Sequence, residues 1–117
     1  MRETSRTLKV TPAGRRYMGF LAIFNTGDAE RIREYISEYY ADEALGENTV
    51  DEMLAWHLHL YEQTGGLKIH NVYLSEEHYV IIVVMDRLHE GMHMDKMKVS
   101  EDFPHKITEY LHVPAEL

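Results

Sequence analysis

The chain has 117 residues, 44% hydrophobic and 27% charged, enough for one globular domain with a real core and unlike a disordered segment. Twelve Lys and Arg stand against 20 Asp and Glu, a formal charge of −8, and no basic stripe carries interleaved aromatics, so nucleic acid is not an expected partner. There is no cysteine, which excludes disulfides, thiolate catalysis and thiolate-held metals.

No apolar run approaches the roughly 20 residues needed to span a bilayer, so no membrane association is expected. The opening MRETSRTLKV has positive charge but no apolar stretch. No secretory signal is read from it, and a cytoplasmic location is the expectation. Residues 1–10, polar and without periodicity, are expected to form a disordered arm ahead of a single domain over residues 11–117.

Thr11-Pro12 reads as an N-cap followed by proline at the first helical position. Tyr17, Phe20, Leu21 and Phe24 then fall at i, i+3, i+4 and i+7, one apolar stripe on a helix over residues 12–26. Gly27 suits a left-handed helix end. Asp28 caps a second helix, where Ile32, Tyr35, Ile36 and Tyr39 repeat the spacing. A polar connection follows from Ala41 to Asn48. Thr49 and Glu52 form a capping box for a third helix that carries Met53, Trp56, His57 and Leu60 on one stripe and ends at Thr64-Gly65-Gly66.

After Gly66 the period changes to two. Strands are expected at Leu67–Leu74, Tyr79–Met85, Met92–Val99 and His105–Val113, with a turn at Glu90-Gly91. Strands this close in sequence pair as antiparallel neighbours. The fold class is therefore α+β, three helices on one face of a curved four-stranded antiparallel meander. The second strand, YVIIVVM, is apolar at both alternating sets of positions, as strands covered on both faces are. Three helices cover one face only. A homodimer with two sheets packed face to face supplies the other cover.

The segment FLAIFNTGDAERIREYISEYYA, Phe20 to Ala41, resembles the opening of nuclear transport factor 2-like proteins. There a first helix ends in an aromatic, Asn, a small polar residue and Gly-Asp before running into a second. The order of helices and then curved sheet is similar over nearly the whole chain, and closest to short bacterial domains of this type that accompany serine hydrolases. The resemblance implies a cone-shaped cystatin-like fold. The superfamily holds polyketide cyclases, ketosteroid isomerases and many non-catalytic binding or dimerisation domains, so fold alone selects no activity.

His89-Glu90-Gly91-Met92-His93 spells H-E-x-x-H. That metal motif needs both rings one turn apart on a helix. Gly91 and the flanking strands place the match on a hairpin instead, where the rings would not converge. His57 and His59, two apart on a helix, point in different directions, His57 to the apolar stripe and His59 to solvent. No metal and no cofactor is expected.

Asp86, His93 and Asp95 form the most suggestive polar set. A two-residue turn at Glu90-Gly91 pairs residue 88 with 93 and 86 with 95, on one sheet face with Val84 and Met97. Opposed carboxylates repel by about 0.2–1 kcal/mol unless a proton, a histidine or a cation lies between them. Beside His93 such a group would make an acid–base pair; a register slip would separate them. Tyr17, Phe20, Phe24, Tyr35, Tyr39 and Trp56 are core material or a ligand box, with Tyr17 and Trp56 the candidates for pocket lining. Met85, Met92 and Met94 belong to the opposite face and suit a dimer surface.

The candidate ligand-binding residues are thus Tyr17, Trp56, His57, Asp86, His93 and Asp95. Three functions remain open. The first is a non-catalytic homodimer whose cone binds a small, partly apolar ligand or is simply filled. The second is a small-molecule lyase or isomerase using Asp86 or Asp95 with His93 or His57. The third is an interaction module docking on a larger enzyme through its sheet face.

Overall fold

A computed structural model describes residues 7–115. Helices come first: α1 Pro12–Phe24, α2 Ala29–Tyr39, the short α3 Asp42–Leu45 and α4 Val50–Thr64. Strands β1 Leu67–Ser75, β2 Tyr79–Asp86, β3 Met92–Val99 and β4 Ile107–Pro114 follow and pair consecutively as an open antiparallel meander. The α+β architecture is the one the periodicities predict. The additional turn of helix, α3, lies inside the stretch read as a polar connection.

The helix ends follow from local chemistry. Thr11 accepts a hydrogen bond from the Gly14 N–H, with Pro12 in the first turn. Asp28 accepts from the N–H groups of Glu30 and Arg31. Thr49 and Glu52 make the reciprocal capping box. Gly27 and Gly65 take left-handed conformations, φ 65° and 68°, where the chain leaves α1 and α4. At the end of α1, Asn25 donates from its side-chain amide to the Leu67 carbonyl and accepts from the Leu67 N–H, both at 2.9 Å. It pairs with the first residue of β1 as a neighbouring strand would.

Of the arm expected over residues 1–10, residues 1–6 lie outside the described residues. Residues 7–9 form a helical turn and not a frayed end, because Leu8 is fully buried. Gly14 makes room for it: a Cβ there would lie 2.1 Å from the Leu8 carbonyl oxygen.

The core lies between α1, α2, α4 and one face of the sheet. Along β2, Val80, Ile82 and Val84 are fully buried, while Ile81, Val83 and Met85 are only partly shielded. The first set faces Tyr17, Phe20, Phe24, Ile36 and Leu60. The second lies on the outer face with Met92, Met94, Leu111 and Val113, across which none of the helices described above packs. Register shifts interrupt β1 twice and the β3–β4 pairing once.

The hairpin register differs from the expected one. Met85 pairs with Met92, Val84 with His93 and Ile82 with Asp95, so the connection is longer than the two residues Glu90-Gly91. Asp86 causes this, since its carboxylate accepts the N–H groups of His89 and Gly91 at 2.5 and 3.0 Å and its backbone closes onto Gly91. Asp86 and Asp95 are therefore not directly opposed. The offset is even, so Val84, Asp86, His93, Asp95 and Met97 still share the inner face.

Candidate functional site

The inner face of β3 and β4 carries a continuous polar row beneath the helices. Asp95, fully buried, accepts at Oδ2 from the Tyr17 hydroxyl, 2.7 Å. At Oδ1 it accepts from the Tyr110 hydroxyl, 2.9 Å, and from Nδ1 of His112, 2.5 Å. The register explains the set: His112 stands directly opposite Asp95, Tyr110 opposite Met97, and Tyr17 reaches down from α1. Nε2 of His112 lies 3.2 Å from Nδ1 of His93, and Nε2 of His93 lies 3.0 Å from Asp86 Oδ2. His89 approaches Asp86 Oδ1 at 3.6 Å from the exposed side.

Desolvation pushes the Asp86 carboxyl up, but hydrogen bonds from His93 and from the backbone N–H groups of His89 and Gly91 outweigh it and hold the group below its ordinary value of 3.8. Burial, reinforced by the nearby Asp95, raises the Tyr17 and Tyr110 hydroxyls well above 10. They remain neutral donors.

His57 belongs to a second, apolar cluster. It is fully buried, with ring contacts to Phe20, Phe24, Tyr40, Trp56 and Tyr110. Burial lowers its pKa to about 4, so the ring is neutral at neutral pH. Nδ1–H donates to the Met53 carbonyl at 2.8 Å, and Nε2 accepts from the Tyr40 hydroxyl at 2.6 Å. Both nitrogens are spent inside the fold.

Of the candidate pocket residues, Tyr17 is fully buried with its hydroxyl turned onto Asp95. Trp56 is 42% exposed. With Tyr110, Met53, Glu52 and Asn48 it lines an open cavity of about 380 Å³. Asp86 and His93 do touch, as the acid–base expectation requires, whereas Asp95 joins them only through His112. The H-E-x-x-H residues occupy the hairpin loop and the start of β3. Among the described residues, no group of three or more His, Asp or Glu has metal-binding geometry.

Tyr110 and His112 were not singled out by the sequence. Their signal was present, since alternate residues of one strand share a face, but linking them to Asp95 required the β3–β4 register. No protein family, curated protein or solved structure matches the chain. No described helix is long and apolar enough to cross a membrane.

Proposed function

We propose that this chain is a non-catalytic, homodimerising domain of the nuclear transport factor 2-like type, its cone filled and its outer sheet face the contact surface. The observation that carries the reading is the outer face of β2 to β4. Cross-strand rows Ile81–Lys96–Leu111 and Val83–Met94–Val113, with Met85 beside Met92, put apolar side chains at its centre. Leu111 and Val113 are exposed, and burial of such a patch is what stabilises a dimer. A second copy of the chain is the occupant of choice, because Lys98 and Glu109 stand side by side at one end of the face. A rim with both charges can complement its own image about a two-fold axis.

The filled cone supports the non-catalytic half of the reading. Tyr17, Phe20, Phe24 and His57 occupy the space between helices and sheet, and His93 spends both ring nitrogens on Asp86 and His112. No ring nitrogen of the acid–base candidates His93 and His57 is left for a substrate. A second reading, binding of a small, partly apolar ligand, is favoured by the cavity beside Trp56.

Native mass spectrometry tests both. A dimer at micromolar concentration that becomes a folded monomer in Val83→Lys supports the face contact. A wild-type monomer, or a Val83→Lys dimer, refutes it, and a heterologous protein displacing one copy would favour a docking module. A reproducible small-molecule adduct, lost in Trp56→Ala, would establish the second reading.

A further inference from the structure

The row Asp86–His93–His112–Asp95 has three side-chain contacts, at 3.0, 3.2 and 2.5 Å, and each needs one proton and only one. Both outer ring nitrogens face carboxylates, so each ring donates outward. The inner pair, Nδ1 of His93 and Nε2 of His112, is then a contact between two nitrogens with one hydrogen to place. With none, two lone pairs face each other at 3.2 Å. With two, N–H faces N–H. Only three protons over the four side chains, a net charge of −1, make every contact a hydrogen bond.

A second observation points the same way. Asp95 is a fully buried carboxylate, and a buried charge needs an opposite charge as well as hydrogen bonds. The groups that face it from the packed elements are uncharged: Tyr17 from α1, Tyr40 at the end of α2, His57 from α4 and Tyr110 from β4. Among the described residues no Lys or Arg pairs with it. β1 and β2 bring Leu67, Ile69, Ile82 and Val84 to this face. At the other end Asp86 meets His93, His89 and backbone N–H groups. Among the described residues, the imidazole pair is the one source of positive charge within reach of Asp95.

We propose that His93 and His112 form one proton-binding site, holding a single proton between Nδ1 of His93 and Nε2 of His112 as the counter-charge of Asp95. Binding adds one H⁺ from solvent to a ring lone pair and breaks no other bond. His93, 21% exposed at its side chain, is the entry; His112, at 7%, is the inner half. Moving the proton by about 1 Å across the 3.2 Å gap shifts the positive charge from one ring to the other, so the row links the hairpin loop to the buried floor of the cone.

The test is a pH titration of the full chain labelled with ¹⁵N in its histidines, followed by NMR. His93 and His112 should report one shared single-proton event, with both inner nitrogens at shifts intermediate between protonated and bare. Asp95→Asn should move the midpoint of that event down by about 1 pH unit or more, through loss of the counter-charge. If that variant does not fold, Asp86→Asn at the partly open end should move it in the same direction. Two independent one-proton events, an unmoved midpoint in the folded variants, or a metal ion retained between the rings by native mass would overturn the proposal.

Discussion

Replacing Tyr17 by Phe removes one oxygen and leaves the ring, which sits 6.1 Å from Phe20 and is fully buried. The lost atom is the donor to Oδ2 of Asp95. Tyr110 and His112 both serve Oδ1, and among the described residues no other side chain donates to Oδ2. A hydrogen bond to a charged group contributes about 1.5–3 kcal/mol, and a buried acceptor stripped of its donor keeps the desolvation cost. Tyr17→Phe should therefore cost near the top of that range. Tyr110→Phe should cost near the bottom, because His112 still serves Oδ1.

For a domain this size the larger loss corresponds to a fall in Tm of roughly 12 °C. Urea unfolding of the two variants beside wild type measures it, with the midpoint shifting at constant slope. Tyr35→Phe is the control: its hydroxyl donates to the neutral Arg16 carbonyl at 3.1 Å and should cost about 0.5–1.5 kcal/mol. A Tyr17→Phe loss below ~0.5 kcal/mol, or one no larger than that of Tyr110→Phe, would refute the assignment of Oδ2 to Tyr17 alone.

His57 sets a pH slope. Its folded pKa of about 4 lies below the ordinary 6.5, so between those values the unfolded chain binds the proton and the folded chain does not. Stability from this residue is present above pH 6.5 and falls by about 3 kcal/mol on acidification to pH 4. In a His57→Gln variant that part of the slope should vanish in unfolding curves taken across the window. Asp86 acts lower: its depressed pKa adds stability that is present above 3.8 and lost as the pH falls through the folded value. Gly27→Ala places a Cβ 2.5 Å from the Tyr61 ring at φ 65°. It should cost about 1–2 kcal/mol from backbone strain alone, plus the displacement of Tyr61 from Phe24; thermal unfolding near wild type would show that this turn relaxes.

Elements whose causes lie within a few residues were legible in the sequence. The Thr11 cap, the Thr49–Glu52 box and the shift from a period of 3.6 to 2 at Gly66 each act locally, and β3 begins and ends where the alternation places it. The hairpin register was not legible, because Asp86 spends its side chain on the loop backbone and holds Glu90 at positive φ. A Glu-Gly pair alone carries no sign of that. The candidate site followed the same division. Alternation put Asp86, His93 and Asp95 on one face, but the Tyr17–Asp95 bond joins residues 78 apart and exists only once helix packing brings α1 over β3. The burial of Leu8 depends likewise on the absence of a side chain at Gly14.

The way Asn25 meets β1 bears on how copies of this chain can associate. An open sheet presents two free edges, and a free edge is a template for further strands. Here the first residue of β1 already has both backbone groups engaged by Asn25, and two register shifts bend the rest of that edge. On the far side, Ile107 at the start of β4 is bridged by Tyr40 and accepts from the Ala41 N–H, while the other end of β4 closes with Pro114, which has no N–H to offer. Growth by edge-to-edge addition, the route to fibrils, is thereby obstructed on both sides. Among the described residues the outer sheet face is left open, and the proposed contact between two copies would use up the surface that makes it, so an assembly built that way would close at two.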